Sequence, residues 1–221
     1  YIILNDWAHS YSNPKTPLGK RLSEDFTLNF QRSTKNQRGF TNIIHIKSDS
    51  IILEHTRLKV NIDLVKVKLS NALKPNQKIK INIKYKIKIP LSDFTGYGID
   101  KENNINLSEW FITLAKVVDN DWLIESNLDL NDNSLDPSFY KFKITYPLKF
   151  KLISDFKIDS VITSDTFKTL ISEKEKRIYN PIIITNKKFF KSFKLKNNTV
   201  ITDIGNIKKN KTDSLIYKVI S

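Results

Sequence analysis

The chain has 221 residues, 39% hydrophobic and 11% aromatic, with a formal net charge of +14. That length can bury a sizeable core, and the composition excludes a disordered or collagen-like chain. There is no Cys, which excludes disulfides and thiolate metal sites. No apolar run reaches the ~20 residues of a membrane-spanning helix. There is also no Met, so the sequence is expected to be a processed chain or part of a longer one.

Residues 1–15 read as an aromatic and polar lead-in with Trp7, His9 and Tyr11. Tyr1-Ile-Ile-Leu4 leaves open a longer apolar segment upstream, and with it a membrane-tethered, extracytoplasmic parent. Thr16-Pro17 has the form of an N-cap followed by proline at the first helical position. Leu18, Leu22, Phe26 and Phe30 recur at steps of four, which predicts one amphipathic helix to about Gln31, packing that stripe on a core.

From Phe40 the pattern becomes that of strands. Phe40–Ile46 is one, and Ser50–Leu53 with Leu58–Leu69 supplies one or two more. The parity of the apolar residues slips between Val60-Ile62-Leu64 and Val65-Val67-Leu69, which predicts a β-bulge near Leu64. Pro75-Asn76 marks a turn. Ile79, Ile81, Ile83, Tyr85, Ile87 and Ile89 then alternate with mostly lysine, giving an antiparallel strand with one wet face, ended by Pro90. Gly96-Tyr97-Gly98 reads as a turn needing positive φ. Trp110-Phe111 and Trp122 read as aromatic strand segments around a turn. After the Asn127–Pro137 loop, Tyr140, Phe142, Ile144 and Tyr146 share one strand face up to Pro147. Leu148–Leu152, Lys157–Ile162, Thr166–Ile171, Pro181–Thr185, Phe189–Leu195 and Thr199–Ile204 continue as strands, with a charged turn at Ser172–Arg177. Asp213–Ile220 could begin a helix. The fold class expected is all-β, with antiparallel saddle-like or sandwich sheets and one short N-terminal helix.

Catalytic signatures are missing. His9, His45 and His55 form no His-x-x-x-His pair, and there is no His-Glu-x-x-His, so no metal site is expected within this chain. There is no Gly-x-Ser-x-Gly elbow. Asp129, Asp132 and Asp136 lack EF-hand spacing and read as a solvated acidic turn. The lysines are spread along strand faces, and the aromatics share parity with Ile and Val, which argues against nucleic acid as a partner.

The order of certain features resembles the N-terminal β domain of the aminopeptidase N family of zinc metallopeptidases. These are Leu73-x-Pro75-Asn76 before the Ile79–Tyr85 alternation, Gly96-Tyr97-Gly98, Trp110-Phe111, Trp122, Asp136-Pro137, and Phe142-x-Ile144-x-Tyr146-Pro147. The likeness spans about Thr41–Ile204. Two departures stand out: Ile112 replaces the usual proline, and the loop to Pro137 lacks the usual arginine and aromatic-proline. The resemblance implies a lead-in with helix at 1–39, the β domain at 40–211, and at 212–221 the start of a linker toward a catalytic domain. That domain of the same polypeptide would hold the zinc. No catalytic residue and no cofactor are expected in this chain. One Gln or Glu of this domain would bind the free amine of the peptide substrate, and by position the candidates are Glu125 and Asn127. The alternative is a free-standing basic β module for protein, carbohydrate or acidic polymer.

Overall fold

The computed structural model describes residues 1–108, 110–128, 135–186, 190–195 and 198–203, the last two segments as backbone only. In chain order, β1 is Ile2–Asn5, followed by a 3-10 helix at Trp7–Ser12 and by α1 at Pro17–Glu24. Then come β2 (Phe40–Ser48), β3 (Ile51–Ile52), β4 (His55–Arg57), β5 (Leu64–Val67), β6 (Ile81–Lys88), β7 (Gly98–Ile99), β8 (Ile105–Leu107), β9 (Thr113–Leu114), β10 (Val117–Val118) and β11 (Asp121–Trp122). The second half adds β12 (Ser138–Tyr140), β13 (Lys143–Pro147), β14 (Lys151–Ile153), β15 (Ile158–Thr163), β16 (Phe167–Ser172), β17 (Glu175–Arg177), β18 (Ile182–Thr185), β19 (Phe190–Leu195) and β20 (Asn198–Asp203). The fold is all-β, built of antiparallel sheets, with a single short N-terminal α-helix among the described residues. The larger sheets run β4-β5-β1-β9, β3-β2-β6, β14-β18-β8-β7 and β13-β16-β15.

Ile2–Asn5, at the start of the segment read as a lead-in, is an interior strand. It pairs with β5 on one side and with β9 on the other. All four residues are buried. Ile2 and Leu4 face a cluster with Ile46, Leu53, Val65 and Val67, while Ile3 faces Leu64 and Ala115. A strand covered on both faces reads as a continuous apolar run rather than an alternation.

The cap at Thr16 is as expected, its hydroxyl accepting from Gly19 N at 3.3 Å. The helix, however, ends at Glu24 and not near Gln31. Phe26 takes φ +57°, Thr27 N bonds Leu22 O at 2.8 Å and Phe26 N bonds Ser23 O at 3.1 Å. That pair of bonds is the Schellman closure, with Phe26 in the left-handed position that glycine usually fills. Phe26 is therefore 91% exposed and off the predicted stripe, whereas Leu18 and Phe30 are fully buried. Phe26→Gly is expected to stabilise the protein by about 1 kcal/mol, because an L side chain in the left-handed region costs ~1–2 kcal/mol. Thermal unfolding checks this, and a lowered Tm would contradict it.

The bulge expected near Leu64 is instead the loop 58–63 closing the β4–β5 hairpin, with Leu58 N on Leu64 O at 3.0 Å. Arg57 holds the loop by donating to Ile62 O at 2.9 Å. The chain's register shift in this region falls in β2, between Ile43 and His45. Buried positions change parity there, from Thr41 to Ile46, and Ile44 turns outward. β6 alternates as expected, but its apolar face is only half-buried.

Four further segments differ from the sequence reading. Trp110-Phe111 is a bend between β8 and β9 rather than a strand. The Tyr140–Tyr146 run breaks at Lys141-Phe142, because Phe142 bonds Ser172 through both its N–H and its carbonyl. Its rings instead build a cluster in which Phe142 stacks on Tyr140 (5.8 Å) and on Phe156 (4.6 Å). Leu148–Phe150 is a turn, and Glu175–Arg177 is a strand paired with β12. Arg177 is drawn there by Asp155 at 2.5 Å and Glu175 at 3.5 Å. The helix start expected at Asp213–Ile220 lies outside the described residues, as do Asp129 and Asp132.

Candidate functional site

Both amine-binding candidates follow the β10–β11 hairpin. Its turn residues Asp119 and Asn120 have φ +50° and +66°, the two left-handed positions of a type I′ turn, which short polar side chains tolerate. Val117 pairs with Trp122 and Val118 with Asp121, and Leu123 N adds a bond to Lys116 O at 2.8 Å. Trp122 packs inward against the clusters around β1. The chain then crosses the 3-10 helix.

Four bonds fix the crossing. Trp7 Nε1 donates to Glu125 O at 3.5 Å. Ser126 Oγ donates to Asp63 Oδ1 at 2.5 Å. Asn127 N donates to Asp63 Oδ2 at 2.7 Å, and Asn127 Nδ2 donates to Ser10 Oγ at 3.1 Å. Asn127 is fully buried, and its Oδ1 has no partner among the described residues. Glu125 is exposed. The two candidates are thus two residues apart but differ in role. Asn127 anchors the segment, and Glu125 is held through its backbone carbonyl with its side chain exposed.

Behind the anchor lies a buried polar network that sequence reasoning missed. Asp63 is fully buried. Burial raises its pKa, opposed by the Ser126 and Asn127 donors. Asp63 O accepts Asp6 N at 2.7 Å. Asp6 Oδ1 accepts from Thr41 Oγ1 at 2.7 Å, and Asp6 Oδ2 from Arg57 at 2.6 Å. Burial pushes the Asp6 carboxyl up to about 6, against the pull of Arg57. His9 is lowered to about 4, by burial first and then by Arg57. Its Nδ1 accepts Thr41 N at 3.1 Å. Neither aspartate stands in any recognisable motif, so only the three-dimensional structure reveals them.

Outside, Leu114, Val117, Val118, Ile124 and Leu128 are 43–56% exposed. Five large apolar side chains of the 114–128 segment, which also carries Glu125, thus reach solvent. Asp136 sits 3.7 Å from Lys116 Nζ. Among the described residues, no three His, Asp or Glu side chains converge as metal ligands. No helix there is long and apolar enough to cross a membrane.

Neither a protein-family model, nor a curated protein, nor a solved structure matches this chain.

Proposed function

We propose that this chain is the non-catalytic N-terminal β domain of an aminopeptidase N-like zinc metallopeptidase. It packs on the catalytic domain of the same polypeptide and helps to form the peptide cleft. One observation carries the reading: a segment anchored on Asp63 carries an exposed carboxylate, Glu125, and exposed apolar residues, Val117, Val118, Ile124 and Leu128, flank it along the chain. Exposed apolar side chains concentrated in one segment suit a contact with another protein surface. The exposed carboxylate of Glu125 suits the ammonium of a peptide N-terminus. The motif order from Leu73 to Pro147 supports the same reading. Zinc, activated water and oxyanion donors would all belong to the catalytic domain. This chain contributes the wall of the cleft and one charged contact.

Glu125→Gln in the full polypeptide tests it. A charge-assisted hydrogen bond contributes ~1.5–3 kcal/mol, so KM for a peptide with a free N-terminus is expected to rise about tenfold or more. The Tm should not move, because the side chain is exposed. An unchanged KM would contradict the role of Glu125.

The alternative, a basic binding module, draws on the row of Lys84, Lys86 and Lys88 on β6, with His45 opposite Lys84. It predicts binding of an acidic polymer that weakens steeply with salt.

A further inference from the structure

β6 stands at the edge of the sheet β3-β2-β6, with β2 as its one hydrogen-bonded neighbour strand. It runs eight residues, Ile81–Lys88. An antiparallel strand points the N–H and C=O of every second residue to each side. Half of these groups on β6 therefore face away from β2. Among the described residues no further backbone hydrogen bond takes them up. A row of this kind is a template for another strand.

The two faces of β6 differ sharply beside that edge. On one face stand Lys84, Lys86 and Lys88, about 6.8 Å apart by strand geometry. β2, β3 and β6 contain no Asp or Glu. No ion pair among the described residues includes these three lysines. Lys84 and Lys86 are exposed, and Lys88 Nζ donates to Lys35 O at 3.2 Å. On the other face Tyr85 and Ile87, with Ile89 just past the strand, line a cavity of about 390 Å³. Its remaining walls are Tyr97, Leu107 and Trp110, of which Tyr97 and Leu107 are buried in the core. None of the lining residues comes from β2, although Thr41 and Ile43 stand opposite Ile87 and Tyr85. The cavity therefore lies on the side of β6 away from β2, which is the side of the unpaired edge.

We propose that the edge of β6 is a docking site for an extended peptide in which acidic and apolar side chains alternate, added to the sheet as a fourth strand. Residues directly opposite one another on paired strands share a face. The carboxylates of the peptide thus meet the lysine row, while its apolar side chains enter the cavity beside Tyr85 and Ile87. Main-chain bonds hold such a strand, and pockets for alternate side chains select it. Charge decides the occupant. Two copies of β6 set edge to edge would oppose lysine with lysine, which disfavours self-pairing, whereas an acidic strand turns the same row into an attraction. The site is separate from Glu125 and does not depend on the peptidase reading. It narrows the acidic-polymer alternative, because alternation and backbone pairing, and not charge alone, set the affinity.

The test is a fluorescence anisotropy titration of the whole chain with labelled Glu-Val-Glu-Leu-Glu-Val-Glu. This peptide is expected to bind saturably, and about tenfold or more tightly than the same residues in blocks, Val-Leu-Val-Glu-Glu-Glu-Glu. Two N-methylated forms, one on the Glu amides and one on the Val and Leu amides, separate the two edges of the peptide. One form should lose binding and the other should stay within about threefold of the parent, because only one edge faces β6. Alanine in place of the central leucine should weaken binding about tenfold by removing apolar contact in the cavity. Lys84→Glu with Lys86→Glu should weaken it by about tenfold or more and favour Lys-Val-Lys-Leu-Lys-Val-Lys instead. Equal binding of the alternating and block peptides would overturn the proposal, as would polyglutamate binding as tightly as the alternating peptide. So would tolerance of both N-methylated forms, indifference to the lysine substitutions, or no saturable binding.

Discussion

Replacing Arg57 with methionine is expected to destabilise the protein by about 3–5 kcal/mol at pH 7.5 and by much less at pH 5. Arg57 pairs with Asp6 at 2.6 Å, and the Asp6 side chain is 1% exposed. Removing one partner of a buried pair leaves an uncompensated charge, which is where the 3–5 kcal/mol arises. The same substitution strips donors from Ile62 O and Thr41 O. The pH dependence follows from Asp6. Its folded pKa, about 6, lies above its ordinary 3.8. A carboxyl raised in this way contributes stability that is fully present below about pH 4 and is lost as pH rises through 6. Without Arg57 the folded value climbs further, so the gap between the two proteins opens above about pH 6. His9 acts in the opposite sense. Its folded value of about 4 lies below the ordinary 6.5, so its contribution is present above 6.5 and is lost as pH falls toward 4. Arg57 is one cause of that depression, so its removal relieves part of the His9 loss and favours the variant further at low pH. Urea unfolding at the two pH values measures the effect. An equal loss at both, or a loss under 1 kcal/mol at pH 7.5, would contradict the account of the network.

Two glycines separated by a single residue, Gly96 and Gly98, are expected to respond very differently to alanine. Gly98 has φ +130°, and a Cβ there would lie 2.3 Å from Pro90 O and 2.9 Å from Leu91 C. Those backbone atoms cannot yield cheaply. Ile99 N bonds Pro90 O at 2.8 Å and Ser92 N bonds Ile99 O at 2.9 Å, so moving them breaks the pairing that seats the turn. Gly98→Ala should cost ~3 kcal/mol or more, combining a backbone region open almost only to glycine with a steric clash. Gly96 has φ +81° with open space around its Cβ position. Gly96→Ala should cost only the left-handed penalty, ~1–2 kcal/mol. Denaturant midpoints compare the two, and equal losses would show that the Pro90 contact does not set the turn.

The strand class of this chain was legible because its local pattern and its burial agree. β6 alternates over a whole element, and Thr16-Pro17 and the glycine turn carry their own local chemistry. The misreadings occur where distant partners decide. The steps of four from Leu18 to Phe30 are a true helical signal, yet the Schellman closure at Phe26 ends the helix early, and Phe30 reaches the core from the turn that follows. The parity slip around Leu64 is real in sequence, but it reflects a loop tied by Arg57, while β2 conceals its register shift at Ile44. Ile2–Asn5 gives no sign of its place inside a sheet, because its partners β5 and β9 lie far along the chain. The site was legible to the same degree. Position alone marks Glu125 and Asn127 equally. What separates them is Asp63, 64 positions from Asn127, and no periodicity links the two.

Sequencing the gene past Ser221 tests the central reading most directly. A metallopeptidase parent requires His-Glu-x-x-His and a further downstream Glu within roughly two hundred residues, the span of one domain. The account predicts that motif. An open reading frame that runs through such a span without it, or that stops close to Ser221, would contradict the peptidase reading and turn attention to the lysine row of β6.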